Sequence, residues 1–174
     1  MSAWGALIMS FFGAVFVALT LYWQLQITGP LLALPFLGFA LIAIAAAVVI
    51  RQPGTGVFVS PKAEKAIMWS SIGEGVGLFL AANIVINLHR QDLLLPAMAL
   101  VVGIHFLPIA IAAAFRPFLM LGGALILAAV AGFLLRAPTG GEVAGLAAAL
   151  ALWTASILAV VRDRRAKQLA MTRA

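Results

Sequence analysis

Six continuous apolar stretches decide what this chain can fold into. They run at approximately 4–26, 30–50, 65–88, 93–115, 117–135 and 141–161. A helix needs about 20 apolar residues to cross the hydrocarbon core of a bilayer. Barrel strands alternate polar and apolar residues over about ten positions, whereas these runs are unbroken and longer. Only 9% of the 174 residues are charged, against about 25% in a soluble domain, so a water-facing surface cannot be built from them. The expected fold class is an all-α integral membrane protein. It is a single transmembrane domain, a bundle of six transmembrane helices followed by a short basic tail at 162–174. The N-terminus lacks a basic n-region and its first stretch exceeds a signal-peptide core, so that stretch is expected to be a retained span.

The breaks carry turn or charge signals: Thr28-Gly29-Pro30, Arg51-Gln-Pro-Gly-Thr-Gly56, His89-Arg-Gln-Asp92, Arg116-Pro117 and Arg136-Ala-Pro-Thr-Gly-Gly141. With six spans both termini share one side. Of the eleven Lys and Arg, nine fall on that side (Arg51, Lys62, Lys65, Arg116, Arg162, Arg164, Arg165, Lys167 and Arg173) and two, Arg90 and Arg136, on the other. The positive-inside rule then predicts a cell inner (plasma) membrane protein with cytoplasmic termini. The net charge of +6 reads as orientation and as contact of the Arg162–Lys167 cluster with anionic lipid head groups. No basic domain exists to bind nucleic acid. The absence of cysteine excludes disulfides, thiolate metal sites and cysteine nucleophiles. No motif calls for a cofactor or a metal.

Arg51-x-Pro53 closes the second span and Arg136-x-Pro138 the fifth, 85 residues later. Gly38 and Gly123 share that offset, and Trp69-Ser-Ser-Ile72 resembles Trp153-Thr-Ala-Ser-Ile157. Three spans per half would place the halves in opposite orientations, as two inverted three-helix repeats. The alternative is that Arg-x-Pro is simply how two helices end.

Glu74 is the only charged residue between Ile67 and Leu88. A carboxylate at bilayer depth costs roughly 2.5 kcal/mol or more, so such a group normally has a partner or a task. Gly73, Gly77 and Ala81 recur every four residues as a ridge that lets another helix approach closely. Ser70 and Glu74 flank one side of that ridge, Asn83 and Asn87 the other. Glu74 and Asn83 are about 180° apart and roughly 13 Å apart along the axis, so they serve different contacts. The three uncharged polar groups are expected to hold neighbouring helices, with Ser70 also a candidate beside Glu74.

The next span holds His105 in its middle and Pro108 within it. Proline frees a carbonyl one turn back, near Ile104. Counted from the inner ends, Glu74 and His105 both lie about 13 to 15 Å deep. Adjacent antiparallel helices are expected to bring them together, which lowers the burial cost of each. The alternative is a lone histidine bonded to a backbone carbonyl.

The segment Gly103-Ile-His-Phe-Leu-Pro108 resembles a Gly-x-His-Phe-x-Pro motif of small uncharacterised bacterial membrane proteins. They pair that span with a preceding span holding a glutamate. The resemblance covers the third and fourth spans. It implies a multi-span bacterial membrane protein and no particular activity.

Three functions fit. The leading one is a small transporter or channel, with Glu74 and His105 as its proton- or ion-binding pair and a homo-oligomer as its expected assembly. The second is a membrane enzyme acting on lipid through the same two groups as acid and base, without a nucleophile or metal set beside them. The third is a non-catalytic assembly or sensor subunit switched by His105.

Overall fold

The computed structural model describes residues 2–54, 56 and 59–172; Thr55 of the second turn segment and Arg173 of the basic tail lie outside them. Among the described residues there are six long helices and no strand. α1 (Ala3–Leu19) is prolonged by a π-helical turn at Thr20–Gln24, and α2 (Pro35–Arg51) is preceded by a 3-10 turn at Gly29–Ala33. α3 spans Pro61–Asn87, α4 spans Leu94–Ala112 after a 3-10 turn at Gln91–Leu93, α5 spans Arg116–Leu134 and α6 spans Thr139–Met171. Each of the six, with its adjoining turn, is long and apolar enough to cross a membrane.

Local chemistry sets the ends. Ser60 caps α3 by accepting a hydrogen bond from the Ala63 N–H at 3.3 Å, with Pro61 at the first helical position and Glu64 in the first turn. This start lies four residues before the Lys65 expected from hydropathy; the Ser-Pro step carried the signal. α3 and α4 stop alike. The N–H of Arg90 bonds the carbonyl of Val85 and that of His89 bonds Ile86, while Phe115 bonds Ala110 and Ala114 bonds Ile111. His89 (φ 54°) and Ala114 (φ 47°) take the left-handed position at these stops.

The centre of the bundle is α1, α4, α5 and α6. α1 packs on α2 and α6, α4 packs on α5 and α3, and α5 packs along α6. The core gathers Phe16, Leu95, Leu125 and Leu152, all essentially inaccessible. α2 and α3 are flanks: α3 buries only Ala63 and Val85, and its main packing is on α4.

Small residues bring the central helices close. Atoms of Gln24 and Thr20 occupy the space where a Cβ would stand on Gly141 and Gly145 of α6. Trp153 of α6 donates its indole N–H to the Ser10 carbonyl of α1 at 3.0 Å. The hydroxyls of Ser10, Thr20 and Ser156 bond carbonyls of their own helices, so these buried groups are satisfied without a partner helix.

Residues 162–171, read from the sequence as the start of a basic tail, continue α6. Asp163 and Lys167, one turn apart, are buried, while Arg162, Arg164 and Arg165 are exposed. A carboxylate oxygen of Asp163 accepts the Ala3 N–H at 3.0 Å, at the start of α1. The Lys167 ammonium donates to the carbonyls of Val49, Ile50 and Gln52 at 2.8, 3.0 and 3.0 Å, at the end of α2. Each charge thus meets the helix end of opposite partial charge.

Candidate functional site

The α3–α4 hairpin turns tightly at Leu88–Arg90. Glu74 lies 15 residues before His89 and His105 lies 16 after it. At about 1.5 Å per residue both side chains stand some 23 Å below the turn and level with each other. Nδ1 of His105 is 3.5 Å from Oε2 of Glu74, and the two side chains are only 9% and 13% exposed. This is ion-pair range but longer than a hydrogen bond. Nδ1 makes no hydrogen bond to any described residue. An imidazolium and a carboxylate at this separation attract each other, which offsets part of the cost of burying either one alone.

The motif around His105 divides among the faces of α4, because successive residues step by 100°. Gly103 and Phe106, three apart, face α5: a Cβ on Gly103 would stand 3.0 Å from the Gly122 carbonyl oxygen, and the Phe106 ring stacks on Phe118 at 5.6 Å. His105, between them in sequence, faces α3. Pro108 is exposed, and α4 runs through it to Ala112. The glycine and the phenylalanine hold α4 against α5, and the histidine is thereby presented to Glu74.

The other residues singled out in α3 are placed as follows. Gly77 is the close approach to α4, where a Cβ would meet Val101 Cγ1 at 2.9 Å. Ala81 and Ser70 are half-buried, with Ser70 one turn from Glu74. Gly73 has no atom of the surrounding structure within 4 Å of where its Cβ would be. Asn83 is exposed, and its amide donates to the Phe79 carbonyl of its own helix at 2.7 Å. Asn87 is exposed as well. Within the protomer the structure brings together Glu74 and His105, seats Gly77 on α4, and leaves Gly73, Asn83 and Asn87 on the outer face.

Of the residues that close α1, Tyr22 is exposed and meets Trp23 edge to face at 5.0 Å. Gln24 is buried against α6, with its Nε2 unpaired among the described residues. Arg90 forms a bidentate pair with Asp92 at 3.0 and 2.9 Å in the turn after α3. Exposed pairs of this kind contribute about 0–1 kcal/mol.

No protein-family model, curated protein or solved structure matches the chain.

Proposed function

We propose that this chain is a small multi-pass transporter or channel in which Glu74 and His105 form the proton- or ion-responsive pair. One observation carries the reading: two titratable side chains from neighbouring spans, each largely buried, are held 3.5 Å apart at the same depth. Ionisable groups inside spans are expensive, and a purely structural contact is made more cheaply by an amide or a hydroxyl. Ser70, one turn away, belongs to the same site. Two inverted halves as its framework draw support from the pairing of α1 with α2 and α6, which α4 repeats with α5 and α3; the packing of α5 on α6 has no such counterpart between α2 and α3 among the described residues. The count of Lys and Arg supports cytoplasmic termini, and the resemblance of Gly103–Pro108 supports a bacterial inner-membrane chain.

The test is flux in proteoliposomes carrying an entrapped pH dye, driven by a potassium diffusion potential. Wild-type protein is expected to move protons or monovalent cations faster than empty liposomes. Glu74→Gln keeps the shape of the side chain and is expected to abolish that flux, and His105→Gln to reduce it. Both variants should elute as monodisperse, helical protein. Unchanged flux in Glu74→Gln would remove Glu74 from the mechanism.

An assembly subunit is the second reading, favoured by the polar Asn83 and Asn87 on the outer face of α3. A homo-oligomer joined there would shield both from lipid. Cross-linking through cysteines introduced at 83 and 87 in native membranes distinguishes the two: strong α3–α3 products without intrinsic flux favour the assembly role.

A further inference from the structure

Away from the Glu74–His105 pair, a cavity of about 690 Å³ lies between α5 and the C-terminal half of α6. Its walls are apolar: Pro117, Met120 and Ala124 of α5 face Ala151, Ala155 and Leu158 of α6. Met120 and Leu158 are 74% and 60% exposed, so the cavity is a groove on the outside of the bundle. Two cationic side chains, Arg162 and Arg165, line its end. The Arg162 guanidinium is stacked on the Phe115 ring, 4.1 Å from the centroid. Stacking uses the flat face of the guanidinium and leaves its edge N–H groups for an oxyanion, the fork geometry that suits phosphate.

Size and charge together select an occupant. From Leu150 to Arg162 the groove follows α6 for about 18 Å at 1.5 Å per residue. One leaflet of the hydrocarbon core is about 15 Å deep. A groove one leaflet long, apolar along its length and doubly cationic at its membrane surface matches one acyl chain with an anionic head. A soluble anion would leave the groove empty, and a zwitterionic lipid would bring its own cation against the two arginines. We infer that the α5–α6 groove is a specific site for one anionic phospholipid of the leaflet on the α6 C-terminal side. Its phosphate is held by Arg162 and Arg165 and one acyl chain lies between α5 and α6. Arg164, exposed but absent from the groove lining, takes no part.

The experiment is native mass spectrometry of the intact chain in detergent, with phosphatidylglycerol or phosphatidylcholine of identical acyl chains. One phosphatidylglycerol is expected to be retained about thirtyfold more tightly than phosphatidylcholine, the factor two basic residues supply at a membrane surface. The double variant Arg162→Gln/Arg165→Gln is expected to reduce that preference to parity, and Arg164→Gln to leave it in place. Thr154→Trp, an exposed position on the groove wall, is expected to block the long-chain lipid. Short-chain phosphatidylglycerol tests the groove on the wild-type chain. Equal retention of the two lipids, equal losses for Arg164→Gln and the double variant, or short-chain lipid held as tightly as long-chain lipid would each overturn the assignment.

Discussion

Gly103→Leu is expected to part α4 from α5 and to lower the stability of the bundle by about 3 kcal/mol or more, the upper range for overpacking. A Cβ at this position would stand 3.0 Å from both the Gly122 carbonyl oxygen and the Ile126 nitrogen, and 2.8 Å from Ile126 Cγ1. The approach is reciprocal: a Cβ on Gly122 would stand 2.8 Å from the Gly103 carbonyl oxygen. Two of these neighbours are backbone atoms inside regular helices, so no rotamer change relieves the clash. Gly103→Ala meets the same atoms and is expected to cost about 1–3 kcal/mol. Gly73→Ala is the matched control. It adds a methyl group where nothing stands within 4 Å, and it replaces a mid-helix glycine, so it is expected to stabilise by about 0.5–1 kcal/mol. Thermal unfolding in detergent reads all three. A Gly103→Ala protein as stable as wild type would show that α4 and α5 are not packed as described. A loss at Gly73 would place a second chain against α3.

The contrast between these glycines shows what the sequence made legible. The number and order of the spans follow from composition, because a run of about 20 apolar residues has few alternatives. The level of Glu74 with His105 follows from nearly equal spacing about the turn at His89, which any antiparallel hairpin converts into equal depth. The identity of packing surfaces does not follow in this way. A small-xxx-small pattern gives a periodicity, while the neighbour on each side depends on the whole bundle. Gly73, Gly77 and Ala81 read as one ridge, yet Gly77 meets Val101 whereas Gly73 meets nothing. The seam through Gly141 and Gly145 carries the same spacing and is filled by Gln24 and Thr20. Only tertiary structure separates an occupied ridge from an open one.

Lys167 was the least legible functional group, and its replacement by methionine carries the second large expected effect. In sequence it belongs to a basic run and reads as solvated or lipid-facing. In the fold it is only 7% exposed and its ammonium closes the last turn of α2 through three carbonyls more than 110 residues away. No local pattern reports so distant a contact. Methionine retains the apolar stem and removes the charge, leaving the Val49, Ile50 and Gln52 carbonyls without this donor. The charged hydrogen bonds and the favourable interaction with the helix end are lost together, which predicts a cost of about 2–4 kcal/mol. At roughly 2–4 °C per kcal/mol for a chain of this size, the melting temperature should fall by several degrees. Arg164→Gln, three residues earlier on an exposed face, is expected to stay within about 0.5 kcal/mol. The comparison separates a buried clasp from general loss of basic charge, because both substitutions remove one positive charge from the same end of α6. Equal melting temperatures for the two variants would mean that Lys167 does not hold α2. A selective fall in Lys167→Met would establish that the last turns of α6 join the flanking helix to the core.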